Sequence, residues 1–280
     1  MYIAIDIGGT NMRVALVNLS GKESILKLES HPVPQDFDIG INVLSGYISD
    51  LSAGQDIQGI GACFPGIIDR NGMVTTANNL PGWAMKPIRE ILQDRFSVPV
   101  NLVHDAQAPA IGEALFGAGK GRDRFVYFIW GTGVGACDVK KIDEKHYFIF
   151  SFENGHHILD WDGKQCNCGQ KGCPEVYLGG DMLREYFGTD MKNISDEDPR
   201  WDLVIQKAAQ VVINTLIFHP VDLFVFSGGV ISRRPFLLDR IKPIMQNRLQ
   251  MFAVPEMTLA EKGDQSALFG CAGTFLIDLV

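Results

Sequence analysis

The sequence predicts an α/β protein made of two related halves, on three observations. Apolar strand-like runs alternate with helical stretches, and no low-complexity linker separates them. A glycine-bearing turn, Gly8-Gly9-Thr10, follows the first apolar run, and a second, Gly131-Thr132-Gly133, follows the continuous apolar run Phe125 to Trp130. With 280 residues at 46% hydrophobic content, the chain can build one large domain or two small ones.

Taken in order, Tyr2 to Ile7, Arg13 to Asn18 and Ser24 to Ser30 read as strands, with Gly8-Gly9 and Ser20-Gly21 turning between them. Phe37 to Leu51 and Met85 to Phe96 carry helical spacing, and Ile57 to Cys63 and Val98 to Val103 read as buried strands. The second series opens with Phe125 to Trp130 and continues extended through Val139. Trp201 to Phe218 and Pro235 to Met251 read as helices flanking the strand Val221 to Phe226, and Gln265 to Asp278 reads as a closing amphipathic helix. The boundary between the halves falls near Gly117 to Gly121.

Charge and composition exclude several classes. There are 33 acidic and 25 basic residues, a net charge of -8, so no general attraction to nucleic acid or anionic lipid is expected. The run Met1 to Asp6 lacks a basic leader, and Asp6 interrupts it too early for a signal peptide. No apolar run approaches a membrane span. The expectation is a cytoplasmic protein whose six cysteines are reduced and serve as metal ligands, reactive thiols or core residues.

The segment Asp6-Ile7-Gly8-Gly9-Thr10-Asn11 suits phosphate. Its glycines admit close backbone approach, their N–H groups can face phosphate oxygens, and Thr10 and Asn11 add donors. Asp6 can hold Mg²⁺ through water, which the ion retains readily. The competing reading is a tight hairpin turn with a satisfied Asp. Gly131 to Ala136 formally fits a dinucleotide fingerprint, but Cys137 to Lys141 reads as strand and turn where a helix is required. Gly119-Lys120-Gly121 lacks the Walker spacing. If ATP binds, it binds between two hairpins.

In Val103-His104-Asp105-Ala106-Gln107, a buried strand delivers Asp105 to a helix start. Two roles stand open: an N-cap worth about 1 kcal/mol, and a general base contributing ~10²–10⁴-fold. His156 together with Cys166, Cys168 and Cys173 offers one imidazole and three thiolates, the donor set of a tetrahedral structural zinc site. Three of six cysteines within eight residues argue against ordinary core cysteines. Glu153, Asp160, Asp162 and Glu175 nearby oppose a nucleic-acid-binding zinc knuckle.

In their order these motifs resemble the ROK family of bacterial glucokinases, other sugar kinases and sugar-responsive repressors. The resemblance spans essentially the whole chain and includes Pro65-Gly66, Asn79-Leu80-Pro81-Gly82-Trp83, Gly112-Glu113-Ala114, Phe116 to Gly119, Glu153 with Gly155-His156, and Ser227-Gly228-Gly229-Val230. It implies an actin-like fold (sugar kinase/Hsp70) of two lobes, each a mixed β-sheet flanked by helices: a small lobe, 1–117, to which 265–280 returns, and a large lobe, 118–264, with a zinc loop at 156–175. It further implies that the lobes close on ATP and that Asp105 is the catalytic base. Gly66, Asn79, Glu153, His156 and Glu175 would hold sugar hydroxyls, beside His104 and Asp105. Asp6, Gly8, Gly9, Thr10, Asn11, Gly131, Thr132 and Gly133 would lie near the phosphates and their Mg²⁺, and Gly228 and Gly229 near the adenosine. The expected reaction is phosphorylation of a hexose hydroxyl, the 6-hydroxyl first, with glucose ahead of N-acetylmannosamine, N-acetylglucosamine, mannose, allose and fructose. A homodimer is expected.

Two departures from that pattern stand out. His104 occupies the place where the family usually has Asn, and Ala136-Cys137-Asp138 replaces a small-residue continuation after the second turn. A sugar-binding repressor is the rival class. It would carry a helix-turn-helix domain before the phosphate motif, and that motif begins here at Asp6, leaving no room for one. A non-catalytic sugar sensor is the third reading.

Overall fold

The computed structural model describes residues 1–69, 72–77 and 79–280. Each of two compact units holds its own sheet. The first comprises 1–121, 142–147 and 264–280, and the second 122–141 and 148–263.

In the first unit, β1 (Tyr2–Ile7) and β2 (Asn11–Asn18) form a hairpin extended by β3 (Ser24–Pro32). Helix α1 (Phe37–Ser52) follows, its first turn capped by Asp36, whose carboxylate accepts from the Ile39 amide at 2.9 Å. It buries Phe37, Ile41, Leu44, Ile48 and Leu51, a stripe at helical spacing. Strand β4 (Gly59–Phe64) is buried throughout and pairs in parallel with β1. Next come the short antiparallel pair β5 (Ile67–Ile68) and β6 (Val74–Thr76), helix α2 (Ile88–Phe96), strand β7 (Val100–His104), parallel to β4, and helix α3 (Gln107–Phe116). The sheet order is β3-β2-β1-β4-β7.

The second unit starts with β8 (Arg124–Trp130) and β9 (Val134–Lys141), another antiparallel hairpin. Strand β10 (His146–Phe152) begins in the first unit and continues into the second. The short α4 (Glu175–Leu178), α5 (Gly180–Phe187) and the long α6 (Trp201–Phe218) lead to β11 (Leu223–Ser227), parallel to β8. Helix α7 (Phe236–Arg248) and β12 (Glu256–Leu259), parallel to β11, complete it. The order β12-β11-β8-β9-β10 repeats the first sheet's pattern: a hairpin, a third strand beyond it, and two parallel strands on the other side. Each unit has its own core, built around Ile3, Ile5, Leu44, Ile60 and Trp83 in the first and around Phe128, Trp130, Trp201, Val212 and Phe226 in the second.

The chain returns to the first unit as α8 (Ser266–Gly273), with β13 (Asp278–Leu279) pairing beside His146 and Tyr147. Two sequence expectations need correction. The closing segment is not an amphipathic helix through Asp278. It is an eight-residue helix buried on nearly all sides, because small residues let it press backbone to backbone on α3; a side chain on Gly270 would strike the Ala108 carbonyl. The helix expected from Met85 starts only at Ile88. Lys86 bridges Val74, and Met85 has φ of 57°, outside the helical region. Among the described residues no helix is long and apolar enough to cross a membrane.

Candidate functional site

Strands β1, β4 and β7 run in parallel, so their carboxyl ends share one edge of the first sheet, the edge where ligands bind in open α/β sheets. Asp6 stands at the end of β1, Cys63 at that of β4, and His104 and Asp105 at that of β7. The turn after β1 closes through the Gly8 amide donating to the Asn11 carbonyl at 2.8 Å, which leaves Thr10 and Asn11 exposed. Asn79 lies against this turn, since a Cβ on Gly9 would come within 2.7 Å of the Asn79 Cβ. Its loop is anchored by buried Leu80 and Trp83, the indole N–H donating to the Pro34 carbonyl at 2.8 Å. Gly66, after β4, has φ of 135°, and a side chain there would run into the Thr76 carbonyl. Its neighbour segment is tied to the end of β7 by the Asp105 amide donating to the Phe64 carbonyl at 3.1 Å.

Asp6 is a satisfied hairpin aspartate, the competing sequence reading. Hairpin register sets it opposite Arg13, whose guanidinium donates to Oδ2 through Nε at 3.0 Å and through a second nitrogen, while the Cys63 thiol donates to Oδ1 at 3.2 Å. Arg13 was missed as a site residue, although counting equal steps from the Gly8–Asn11 turn pairs the two. The Cys63 thiol is pushed up by a neighbouring Cys271 thiol and by burial, so it acts as a donor.

Asp105 is not an N-cap. The cap position of α3 falls on Ala106, and no side chain caps that helix. Its carboxyl is raised above the usual 3.8, chiefly by burial and further by the negative charge of Asp6, against an opposing pull from His104. His104 Nδ1 stands 3.0 Å from Asp105 Oδ1. The carboxyl's raised basicity and its half-exposed position suit proton acceptance.

In the second unit the parallel strands β8 and β11 again bring two glycine turns to one edge: Gly131-Thr132-Gly133 after β8 and Gly228-Gly229 after β11. Gly228 has φ of 105° and crowds the Trp130 carbonyl, which accepts from Val230 at 3.1 Å. The Gly180 amide donates to the Gly131 and Thr132 carbonyls, each at 2.9 Å. Glu175 joins this turn to the cysteine loop. A Cβ on Gly133 would lie 2.5 Å from its Oε2, which also accepts from the Val134 amide at 3.3 Å, and its Oε1 lies 4.0 Å from His156 Nε2. Glu153 is placed by its carbonyl accepting from the His156 amide at 3.0 Å. Asp138, one of the departures, is structural: Arg124 Nε and His219 Nδ1, both at 3.0 Å, outweigh burial and hold its carboxyl below the usual range.

His156, Cys166, Cys168 and Cys173 converge, their ligand atoms all lying within 4.8 Å of one another. Cys166 Sγ is 3.7 Å from His156 Nδ1, and Cys168 Sγ is 3.6 Å from Cys173 Sγ. These separations are close to the ~3.8 Å edge of a tetrahedron with 2.3 Å metal–sulfur arms, and far longer than a disulfide. Three thiols and an imidazole are the chemistry of a structural zinc site, so the residues fit that ion. His156 therefore turns Nδ1 to the thiols and Nε2 to Glu175.

A ROK family model matches residues 2–276, and the chain belongs to the ROK family. It is 34% identical over 194 residues to a glucokinase of Thermotoga maritima, covering 66% of this chain and 59% of that protein. It is 31% identical over 204 residues to a xylose repressor of Bacillus spizizenii, covering 70% of this chain and 52% of the repressor. The chain thus spans about half to three fifths of the length of these relatives. Among solved structures it is similar to a ROK hexokinase from Thermus thermophilus, with TM-score 0.80, 24% identity and coverage of 98% and 97% of the two chains. A ROK family glucokinase from Streptomyces griseus in complex with glucose and AMPPNP gives TM-score 0.76, 25% identity and 97% coverage of each. The fold is the actin-like ATPase fold of these ROK sugar kinases, α/β with mixed sheets flanked by helices.

Proposed function

We propose that the protein is an ATP-dependent sugar kinase that phosphorylates the 6-hydroxyl of a hexose, with glucose as first substrate and Asp105 as general base. The observation that carries this is the position of the Asp105 carboxyl just past the end of β7, on the same sheet edge as the Gly8-Gly9 turn, with its basicity raised chiefly by burial. As the hydroxyl oxygen attacks the γ-phosphorus, its proton passes to Asp105, the oxygen–phosphorus bond forms and the bond to the ADP oxygen breaks. Little covalent chemistry is asked of the protein beyond positioning and charge stabilisation.

Gly66, Asn79, His104, Glu153, His156 and Glu175 are the proposed sugar ligands, and a sugar lacking a matched hydroxyl would leave one of them unpaired. The turns Gly8 to Asn11 and Gly131 to Gly133 are proposed for the phosphates, with Gly228 and Gly229 for the nucleoside. Mg²⁺ would accompany ATP; Asp6, already shared by Arg13 and Cys63, can reach it only through water. Zn²⁺ held by His156, Cys166, Cys168 and Cys173 would fix the loop that presents His156 and Glu175. A homodimer in the cytoplasm completes this reading.

The similarity to a xylose repressor favours a second reading, a sugar-binding regulator without catalysis. A 26% identity over 308 residues to an N-acetyl-D-glucosamine kinase of Escherichia coli, covering 99% of this chain and all of that protein, favours an N-acetylhexosamine as alternative substrate; a fructokinase is a further alternative. A coupled ADP-release assay with glucose, mannose, fructose, allose, N-acetylmannosamine and N-acetylglucosamine separates them. Turnover with one sugar supports the kinase, and sugar binding without turnover across the panel supports the regulator.

A further inference from the structure

A cavity beside the cysteine cluster lies in the second unit, walled by α4, α5, α6 and the residue Lys164 of the cysteine loop, with Val176 and Tyr177 packing on Cys166 and Cys173. Its volume is about 60 Å³, room on the order of four to six water-sized positions, about the bulk of a phosphate group. The walls are Val176, Val204 and the ring of Tyr177, with Leu203 and Tyr186 partly exposed at the rim.

Two lysines, Lys164 and Lys207, line this largely apolar space. Lys207 Nζ rests 4.8 Å from the Tyr177 ring centroid, an aromatic face taking the place of a counter-charge. Among the described residues neither lysine side chain has an ion pair or hydrogen bond. That is unexpected in a chain with eight more acidic than basic residues. Asp181 accepts from Arg184 at 3.0 Å, and Asp202 pairs with Arg240. The Tyr177 ring is held in place, since its hydroxyl packs so closely on Gly163 that no side chain fits there. The Gly172 amide donates to the Lys164 carbonyl at 2.8 Å, closing the loop that carries Lys164.

We propose that this cavity binds a small phosphate monoester, its dianion between Lys164 and Lys207 and its organic part on Tyr186 and Leu203. A phosphate monoester carries about -1.5 to -2 charge at neutral pH, matching two ammonium groups where one carboxylate would leave an excess. The apolar rim distinguishes an ester from free phosphate.

Isothermal titration of the full chain at fixed ionic strength, with phenyl phosphate and with inorganic phosphate as probes, tests this. Wild type should bind phenyl phosphate saturably, and Lys207→Met and Lys164→Met should each weaken it about tenfold, as loss of one charge-assisted contact implies. Lys242→Met, on the exposed side of α7, should change nothing. Inorganic phosphate should bind more weakly than the ester and depend on the same two lysines. Absence of saturable ester binding, or binding unchanged in both cavity variants, overturns the site; equal affinity for the two probes overturns the ester assignment. Melting curves verify that each variant is folded, and exposed Lys164 supplies the reading if Lys207→Met fails to fold.

Discussion

His104 Nδ1 lies 3.0 Å from Asp105 Oδ1 and 3.2 Å from the Ala106 amide nitrogen. One ring nitrogen cannot serve both, because a bare Nδ1 accepts from the amide whereas a protonated one donates to the carboxylate. Whether Nδ1 carries a hydrogen therefore decides between bracing the start of α3 and supporting the Asp105 carboxylate.

The pH profile should register this. The proposed base Asp105 can accept a proton only when ionised, and burial raises its carboxyl above 3.8, so kcat/KM should fall with acid through a limb lying above the ordinary aspartate range. His104 opposes that rise. His104→Asn removes the opposing charge, and the limb should move to higher pH. An unchanged limb in His104→Asn would show that the two groups are uncoupled.

The same shift has a sign for stability. A carboxyl whose folded value exceeds its unfolded one favours the fold while protonated, and this contribution is lost as pH rises from 3.8 through the folded value. Asp105→Asn should therefore melt no lower than wild type at neutral pH. A clear drop in its melting temperature would mean that the ionised carboxylate supports the fold.

With Zn²⁺ in the His156, Cys166, Cys168 and Cys173 cluster as proposed, its removal should loosen the loop proposed to hold the sugar and leave the proposed base in place. Chelation, or Cys173→Ala, should lower the melting temperature and raise the sugar KM about tenfold or more, with a smaller effect on kcat. Cys173 is fully buried, and its thiol is pushed up to about 12, mainly by burial; only a bound cation would make it a thiolate at neutral pH. Full activity and unchanged stability after metal analysis reads zero would remove the structural role.

Glu175→Gln keeps the shape of the side chain but deletes the charge that faces His156 Nε2 and the Val134 amide. Hydrogen bonds to a charged group are worth about 1.5–3 kcal/mol, so the sugar KM should rise roughly 10–100-fold. Steady-state kinetics with the preferred sugar check this, and a rise in KM of less than about threefold contradicts it.

Local features were readable from the residues alone. Alternation and glycine turns placed β1, β2, β8 and β11 within a few positions, and the convergence of His156, Cys166, Cys168 and Cys173 follows from spacing because the chain between them is short. Relationships set by packing were not. That Glu175 reaches the Gly133 turn depends on how α4 docks, 42 positions along the chain. The burial of α8 is invisible to periodicity, because a helix of small and apolar residues has no polar face to betray its orientation. Of the two roles open to Asp105, the cap falls away because β7 ends at His104 and the turn that follows puts Ala106, not Asp105, at the cap position.

Phosphoryl transfer by Asp105→Asn, measured beside its sugar affinity, is the sharpest test. Rapid-quench or coupled ADP-release kinetics should give kcat lower by about 10²–10⁴-fold, while calorimetric affinity for the preferred sugar stays within severalfold of wild type. Undiminished kcat in a folded, sugar-binding Asp105→Asn protein would contradict the assignment of this carboxylate as the base.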